Sequence, residues 1–221
     1  DRTKEEERRM RQLELALLQE QINPHFLYNT LDNILWLAEG DQKEDLVAIV
    51  TALSRFFRTG LSGGAEVIRL EDECAHIRAY LKIQKFRYRD ILDYRVNIPE
   101  DYYEYRIQRM TLQPIVENAL YHGIKNKRGG GCITVDIARD NGDIVISVSD
   151  DGIGMDEETL LQLRSRCDEP GEHEVSESGF GLVNVSQRLK LRYGADYGLS
   201  FYSESGHGSR VDIRIPAQEN I

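Results

Sequence analysis

Cysteine is scarce in this chain. Three occur in 221 residues, Cys74, Cys132 and Cys167, at separations that match no metal-ligand spacing. That sparse, odd set points to a reducing compartment and away from a disulfide framework. Positive charge is in deficit: 28 Lys and Arg against 38 Asp and Glu leave a formal charge of -10. A nucleic-acid or anionic-membrane partner needs a basic face, so both are disfavoured, and no membrane contact is expected of this stretch. No run of about 18 apolar residues is present, so no segment reads as a membrane-spanning helix. An initial Met is also missing, and the chain opens inside a charged helical pattern. This predicts a piece of something longer and leaves a membrane-anchored parent open. The length suits one large or two modest domains. There are no internal repeats.

Residues 1–39 read as one long helix. Met10, Leu13, Leu17, Leu27, Leu31, Leu35 and Ala38 fall on one side at 3.6 residues per turn. His25, Asn29, Asp32 and Trp36 fall roughly opposite, although Leu15, Leu18 and Ile22 share that side. Within this helix stands Gln21-Ile22-Asn23-Pro24-His25-Phe26-Leu27-Tyr28-Asn29. A helix-interior proline costs about 3 kcal/mol. A lone Pro-His pair is most simply a packing kink beside a solvated imidazole, so its meaning has to come from elsewhere in the chain. Gly40-Asp41 is a predicted turn, and Leu46, Ile49, Val50, Leu53, Phe56 and Phe57 mark a second amphipathic helix. Such a hairpin cannot bury both apolar stripes alone, whereas two copies can, as a four-helix bundle; a homodimer is expected. Ser62-Gly63-Gly64 marks the boundary between a hairpin domain, 1–64, and a second domain, 65–221.

The second domain alternates helices with mainly antiparallel strands, an α+β sandwich of one sheet and one helical layer. Helices are predicted for Leu70 to about Tyr88, Thr111–Ile124, Asp156–Arg166 and Phe180–Tyr193. Lys82, Lys85, Arg87 and Arg89 read as a solvated face. Strands are predicted for Tyr94–Ile98, for Ile133–Ala138 and Ile144–Ser149 around an Asn141-Gly142 hairpin turn, and for Leu199–Ser203 with Arg210–Ile215. Cys167–Ser178 reads as a mobile loop.

Three motifs in this domain carry chemistry. Glu117 and Asn118 lie within the apolar stretch Leu112-Gln113-Pro114-Ile115-Val116-Glu117-Asn118-Ala119, where a buried unpaired amide costs about 1–3 kcal/mol. A hydrated metal ion or a ligand satisfies them, or else they form a polar outer face. Asp150-Asp151-Gly152-Ile153-Gly154-Met155 follows a strand directly. Its carboxylate suits an exocyclic amine and its glycines admit a planar ligand, though acidic turns are common and the calcium-loop spacing is absent. Gly179-Phe180-Gly181-Leu182 precedes a helix whose first amides suit phosphate, or is an ordinary cap; the Walker pattern is absent.

In this order, after a histidine-bearing hairpin, the three resemble the sensor histidine kinases, and closely their LytS/YesM-like branch. QINPHFLYNTLDN is similar to that family's phosphoacceptor segment, LQPIVENALYHGI to its asparagine box, SDDGIGM and GFGLVNVSQRL to its two glycine boxes. Gly206-His207-Gly208-Ser209-Arg210-Val211 is similar to its last adenine-pocket strand. The resemblance runs from about residue 15 to 216 and implies a Bergerat-type ATP-binding sandwich behind a dimeric hairpin. It implies His25 as phosphoacceptor, Asn118 as ligand of the Mg²⁺ that bridges the ATP phosphates, and Glu117 beside it. Asp150 would take the adenine amine, with Gly152 and Gly154 along the base and Ser209 closing the pocket. Gly179, Gly181 and Leu182 would hold phosphates, with residues of about 156–178 as a lid and His122 and Lys125 as phosphate-side contacts.

The implied activity is autophosphorylation of His25 from Mg-ATP and transfer to an aspartate of a response-regulator receiver domain. The implied setting is the cytoplasmic portion of a membrane sensor. The chain departs from the commonest kinase class in having Phe26, not an acid, after the histidine. The base stays open among Glu20, Asp32 and Glu117. Asn29, one turn below His25, stands where other classes carry a phosphatase residue; it orients a hydrolytic water or pairs with backbone. Two rival readings are a Bergerat ATPase in which Glu117 activates water, and a dimeric docking module with a degenerate nucleotide site.

Overall fold

The computed structural model describes residues 24–61, 65–168 and 180–217. The chain divides into two compact units, residues 1–51 and 52–221. Helix α1 spans Pro24–Glu39 and helix α2 spans Lys43–Leu61, so α2 begins in the first unit and ends in the second. The helix expected over residues 1–23, with Met10, Leu13 and Leu17, and the base candidate Glu20 lie outside the described residues, as does the Ser62–Gly64 boundary.

The predicted turn is a paired-bond cap at the end of α1. The Gln42 and Asp41 amides donate back to Leu37 O at 3.0 Å and Ala38 O at 3.4 Å. Asp41 takes the left-handed conformation this cap requires, at φ 52°. Within a single chain the leucine side of α1 is left largely open. The buried residues of α1 are Phe26, Thr30 and Leu37, whereas Leu31 and Leu35 are 43% and 61% exposed. Thr30 avoids a stranded hydroxyl by donating to Phe26 O at 2.7 Å.

In the second unit a small antiparallel pair, β1 (Val67–Arg69) and β3 (Arg106–Gln108), flanks helix α3 (Leu70–Arg87) and strand β2 (Leu92–Asn97). Helix α4 (Leu112–Asn118) follows, then β4 (Gly131–Asp140), β5 (Asp143–Asp150), α5 (Glu157–Asp168), α6 (Phe180–Tyr193), β6 (Gly198–Glu204) and β7 (Gly208–Pro216). The main sheet runs β2-β4-β5-β7-β6. Its β2–β4 pair is parallel and the others antiparallel. The β4–β5 turn has φ 52° at Asn141 and 91° at Gly142, the doubly left-handed hairpin turn that an Asn-Gly pair supplies at least strain. Along β5 the alternating side chains send Ile144, Ile146 and Val148 into the core, and the same period carries Asp150 inward at the strand's end.

Helix α3 is buried nearly all round, with Ile77, Leu81 and Tyr80 at 0–1% exposure as expected. The solvated face assigned to its later part needs one correction, because Lys85 is spent on structure. Its ammonium donates to Arg89 O at 3.1 Å, to Asp93 Oδ1 at 2.8 Å and to Leu92 O, joining α3 to the start of β2.

Glu73 is the most consequential buried charge in α3. It is 1% exposed and accepts the amides of Met110, Thr111 and Leu112 at 3.1, 2.8 and 2.9 Å, taking the orphan donors at the start of α4. Burial pushes its carboxyl up, against the pull of those amides and of Arg188. Glu73→Leu would leave three buried amides without an acceptor. The expected loss is about 3 kcal/mol, roughly 10 °C in Tm, read by thermal unfolding.

Candidate functional site

Helix α4 ends with Glu117 and Asn118, and from Ala119 to Ile124 the backbone widens into a π-helical turn. The Lys125 amide reaches back to Leu120 O at 2.9 Å. One regular helix was expected here. The extra residue of the wide turn brings the backbone at Gly123 against Asp150, so closely that a Cβ at Gly123 would lie 2.4 Å from Asp150 Oδ1. Such turns gather at functional sites for this reason: they aim backbone that a regular helix would keep to itself.

Asp150 is the anchor. It is 9% exposed, and its Oδ1 accepts the Gly152 amide at 2.9 Å. Burial pushes the carboxyl up to about 6, against the pull of the Gly152 and Ser209 amides, with Asp151 adding slightly and Lys127 subtracting. Gly152 is required by packing, because a Cβ there would sit 2.4 Å from the Gly123 carbonyl carbon and 2.5 Å from Asp150 Oδ1. Gly154 is required twice over: its φ is 67° and a Cβ would lie 2.0 Å from Glu204 O.

These groups border a cavity of about 290 Å³. Of the residues expected at a nucleotide site, Asn118, His122, Asp150, Gly154, Leu182 and Ser209 line it, and Gly152 packs behind Asp150. Leu182 comes from the first turn of α6, at 2% exposure. The Asn118 amide has no hydrogen-bond partner among the described residues, and it faces the cavity. Glu117 does not line it. It is half-buried, its carboxyl pushed up by burial, and its Oε1 accepts the Gln113 amide at 2.8 Å. Lys125 is exposed, its ammonium 5.7 Å from the Tyr121 ring centroid, and is not part of the lining. Gly181 is exposed beside Pro114 and outside the lining, while Gly179 and the later part of the expected lid, from residue 169 on, lie outside the described residues. Cys167 and Asp168, assigned to that loop, belong to α5 instead.

Three contributors were not foreseen. Gly123 stood in the motif and was passed over, although a glycine inside an apolar helix is itself a signal of close approach. Ser203 accepts the Met155 amide at 2.8 Å, donates to Gly208 O at 3.0 Å and meets Ser209 Oγ at 2.9 Å, so it ties the glycine loop to β6 and β7. Met155, Thr159 and Leu163 form a further wall from α5 and the turn before it. Ser203, Met155, Thr159 and Leu163 carry no such local signal, since each matters only through a partner far along the chain.

In the first unit His25 is exposed on α1, and the Asn29 side-chain amide sits 3.0 Å from His25 Nδ1. One helical turn separates them, which is the spacing at which side chains meet. Asn29 therefore bonds the ring rather than the backbone. Asp32 is exposed, and Phe26, in the place of an acid, is buried.

The family described as "Histidine kinase" matches residues 13–92, and the family described as "Histidine kinase-, DNA gyrase B-, and HSP90-like ATPase" matches residues 107–219. The chain is 32% identical over 212 residues to the sensor histidine kinase YesM of Bacillus subtilis, covering 96% of this chain and 35% of the relative. It is 33% identical to the sensor histidine kinase BtsS of Escherichia coli, covering 93% of this chain and 34% of the relative. To the sensor protein LytS of Streptococcus agalactiae it is 36% identical, covering 97% and 36%. The chain thus spans about a third of the length of these relatives. With both families matched in order, and with the asparagine and aspartate of the motifs at one cavity, the chain belongs to the sensor histidine kinases, residues 107–219 matching the ATPase family.

Proposed function

We propose that this chain is the catalytic part of an ATP-dependent protein-histidine kinase that phosphorylates His25 and passes the phosphoryl group to an aspartate of a response-regulator receiver domain. The observation that carries the reading is a single cavity holding an acceptor for an adenine amine, Asp150, and an unpartnered amide, Asn118. An exposed imidazole on a separate unit completes the set. The exposed Leu31 and Leu35 of α1 support a homodimer that would cover them. The proposed division of labour is a hairpin domain over residues 1–64 and a catalytic domain over residues 65–221, within a longer membrane-anchored sensor.

Phosphoryl transfer depends on positioning and charge neutralisation more than on covalent chemistry by the protein. The Asp150 carboxylate accepts from the adenine amine, while Gly152 and Gly154 allow the ring to approach the backbone. His122, Leu182 and the α6 amides bound the phosphate end, with Gly179, Gly181 and Lys125 as further contacts. The donor set fits Mg²⁺, which takes oxygen ligands and is carried largely by phosphates and water: Asn118 offers one amide oxygen, and among the described residues no cluster of three acidic, His or Cys side chains could hold a metal. Bound there, it would offset the charge of the phosphates.

At His25, a lone pair on Nε2 attacks the γ-phosphorus as the bond to the bridging oxygen of ADP breaks. That requires the proton on Nδ1, so the Asn29 amide, whose nitrogen lies 3.0 Å from Nδ1 in the structure, has to turn over and present its oxygen to that N–H. Asn29 so placed also suits a later dephosphorylation step. Glu117, raised by burial, is the candidate base at the nucleotide side and favours a second reading, water-activated ATP hydrolysis.

One experiment separates the two readings. Incubation with γ-labelled ATP and Mg²⁺ is expected to leave label on the protein that survives alkali and is lost in acid, as a phosphoramidate is, and Asn118→Ala is expected to lose it with its nucleotide. Steady phosphate release without protein-bound label would replace the kinase reading with the hydrolase.

A further inference from the structure

A line of buried and half-buried polar groups runs through the second unit from the end of α2 to Glu117. His76, on α3, is 3% exposed and stacks on Phe56 of α2, with centroids 4.5 Å apart and planes at 23°. Its Nδ1 lies 2.8 Å from Thr59 Oγ1, and its Nε2 lies 2.6 Å from Gln113 Oε1. The Gln113 amine continues to Glu117 Oε1 at 2.8 Å.

The direction of every bond follows from the end of the line. A carboxylate accepts only, so the Gln113 amine faces Glu117 and its carbonyl faces His76. His76 Nε2 must therefore carry a proton. Burial lowers the His76 pKa, against the pull of Gln113, so the ring is neutral and Nδ1 keeps its lone pair. The Thr59 hydroxyl then donates to Nδ1. The same hydroxyl lies 2.9 Å from Arg55 O and 3.2 Å from Phe56 O, so if its bond to Nδ1 breaks it keeps backbone acceptors in its own helix, while the imidazole loses its reason to stay in register.

Thr59 is not a passive end. It lies in the last turns of α2, the helix that leads continuously from Lys43. A second clasp holds the same turn: the Arg109 guanidinium donates to Thr59 O at 3.0 Å and to Gly60 O. Arg109 in turn is fixed by Arg188 of α6, which donates to Arg109 O at 2.7 Å, and it stands just ahead of the Glu73-capped start of α4. Both clasps therefore join the C-terminal turn of α2 to the short helix that carries Glu117 and Asn118.

We infer that Thr59, His76 and Gln113 form a positioning chain that sets the placement of Glu117 beside the cavity and makes it depend on the last turn of α2. A displacement of α2 along its axis would load both links of its last turn, the Thr59–His76 bond and the Arg109 clasp on Thr59 O and Gly60 O; of the two, only the Thr59–His76 bond leads on to Glu117 through side chains, and it has to break for the rest of the chain to move. The remainder, His76 to Glu117, would then be free to shift as a group. The hairpin helix and the nucleotide site so acquire a polar connection through side chains none of which touches nucleotide. This use of the chain in phosphotransfer rests on the kinase reading, whereas the hydrogen-bond order stands apart from it.

The test uses the full chain and two readouts. In wild type, ¹⁵N spectra of the His76 ring are expected to show the neutral Nε2–H tautomer at pH 7, and Thr59→Val, which keeps the β-branched shape and removes the donor, is expected to shift both the Nδ1 resonance and the Glu117 side-chain ¹³C resonance. Thr59→Ser is expected to restore them. In labelling assays Thr59→Val should lower the rate about 10-fold with the affinity for a Mg-ATP analogue within about twofold, and Thr59→Ser should recover most of it. A cationic His76 at pH 7, or a Thr59→Val protein with unchanged Glu117 resonance and rate, would overturn the inference. If wild type takes no label at all, the kinase reading fails, and the resonances alone decide the chain of bonds.

Discussion

His25→Gln is expected to reduce protein-bound label to background, a loss of about 10³-fold or more, while leaving nucleotide affinity unchanged. The size follows from chemistry rather than from packing. A glutamine amide can keep a bond to Asn29, and it has no lone pair nucleophilic enough to attack phosphorus. The site tolerates the change because His25 is exposed on α1, and Gln is at least as good a helix former. Circular dichroism and Tm should match the parent. Persistent label in His25→Gln would move the acceptor elsewhere and sink the assignment. Mixing it with Asn118→Ala adds a second outcome, since label appearing only in the mixture would prove transfer between subunits.

Asp150→Asn is expected to weaken ATP-analogue binding about 100-fold or more, with Tm within a few degrees of the parent. Two opposed effects of on the order of 2 kcal/mol each keep the fold in place. Removing the charge relieves its burial penalty, and the amide loses the charge-assisted bonds that the carboxylate accepts. Binding has no such compensation, because the carboxylate is the group that accepts the adenine amine. The same residue predicts a pH dependence. With the folded carboxyl at about 6, affinity is full above that value and falls as pH drops through it, by about tenfold between pH 7 and 5. Stability runs the other way. A carboxyl raised above its unfolded value of 3.8 makes a contribution that is fully present below 3.8 and is lost as pH rises through about 6. Isothermal titration across pH 5–8 reads the first; denaturant unfolding over the same range reads the second. A flat affinity profile would remove Asp150 from adenine recognition.

Much of the second unit was legible because its signals are local. The Asn141-Gly142 turn, the alternation along Ile144–Val148 and the apolar run of α3 each state their conformation within a few residues. The weak signals were those of three-residue strands: nothing in Val67–Arg69 or Arg106–Gln108 marks a strand until the two are paired. The π-turn at Ala119–Ile124 was equally silent, since its hydrophobic spacing is helical and only the approach of Gly123 to Asp150 calls for the extra residue. In α1 the leucine period pointed to one face, while Phe26, Thr30 and Leu37 are the residues buried within a single chain. A stripe that a second copy would cover cannot be told by its period from one that the chain covers itself.

The sequence by itself determined the family and the identities of the reactive groups: His25, the asparagine and aspartate of the motifs, and the glycines around them. Those are properties of residue type at short spacing, and short spacing survives in a one-dimensional string. Only the tertiary structure decided which of them meet. It placed Asn118, Asp150, Leu182 and Ser209 around one cavity and left Lys125 and Gly181 outside its lining. It also bonded Glu73, His76, Gln113 and Ser203 to groups far along the chain. These are ordinary polar residues in the string, and they gain their roles from burial, which forces each to find a partner tens of residues away.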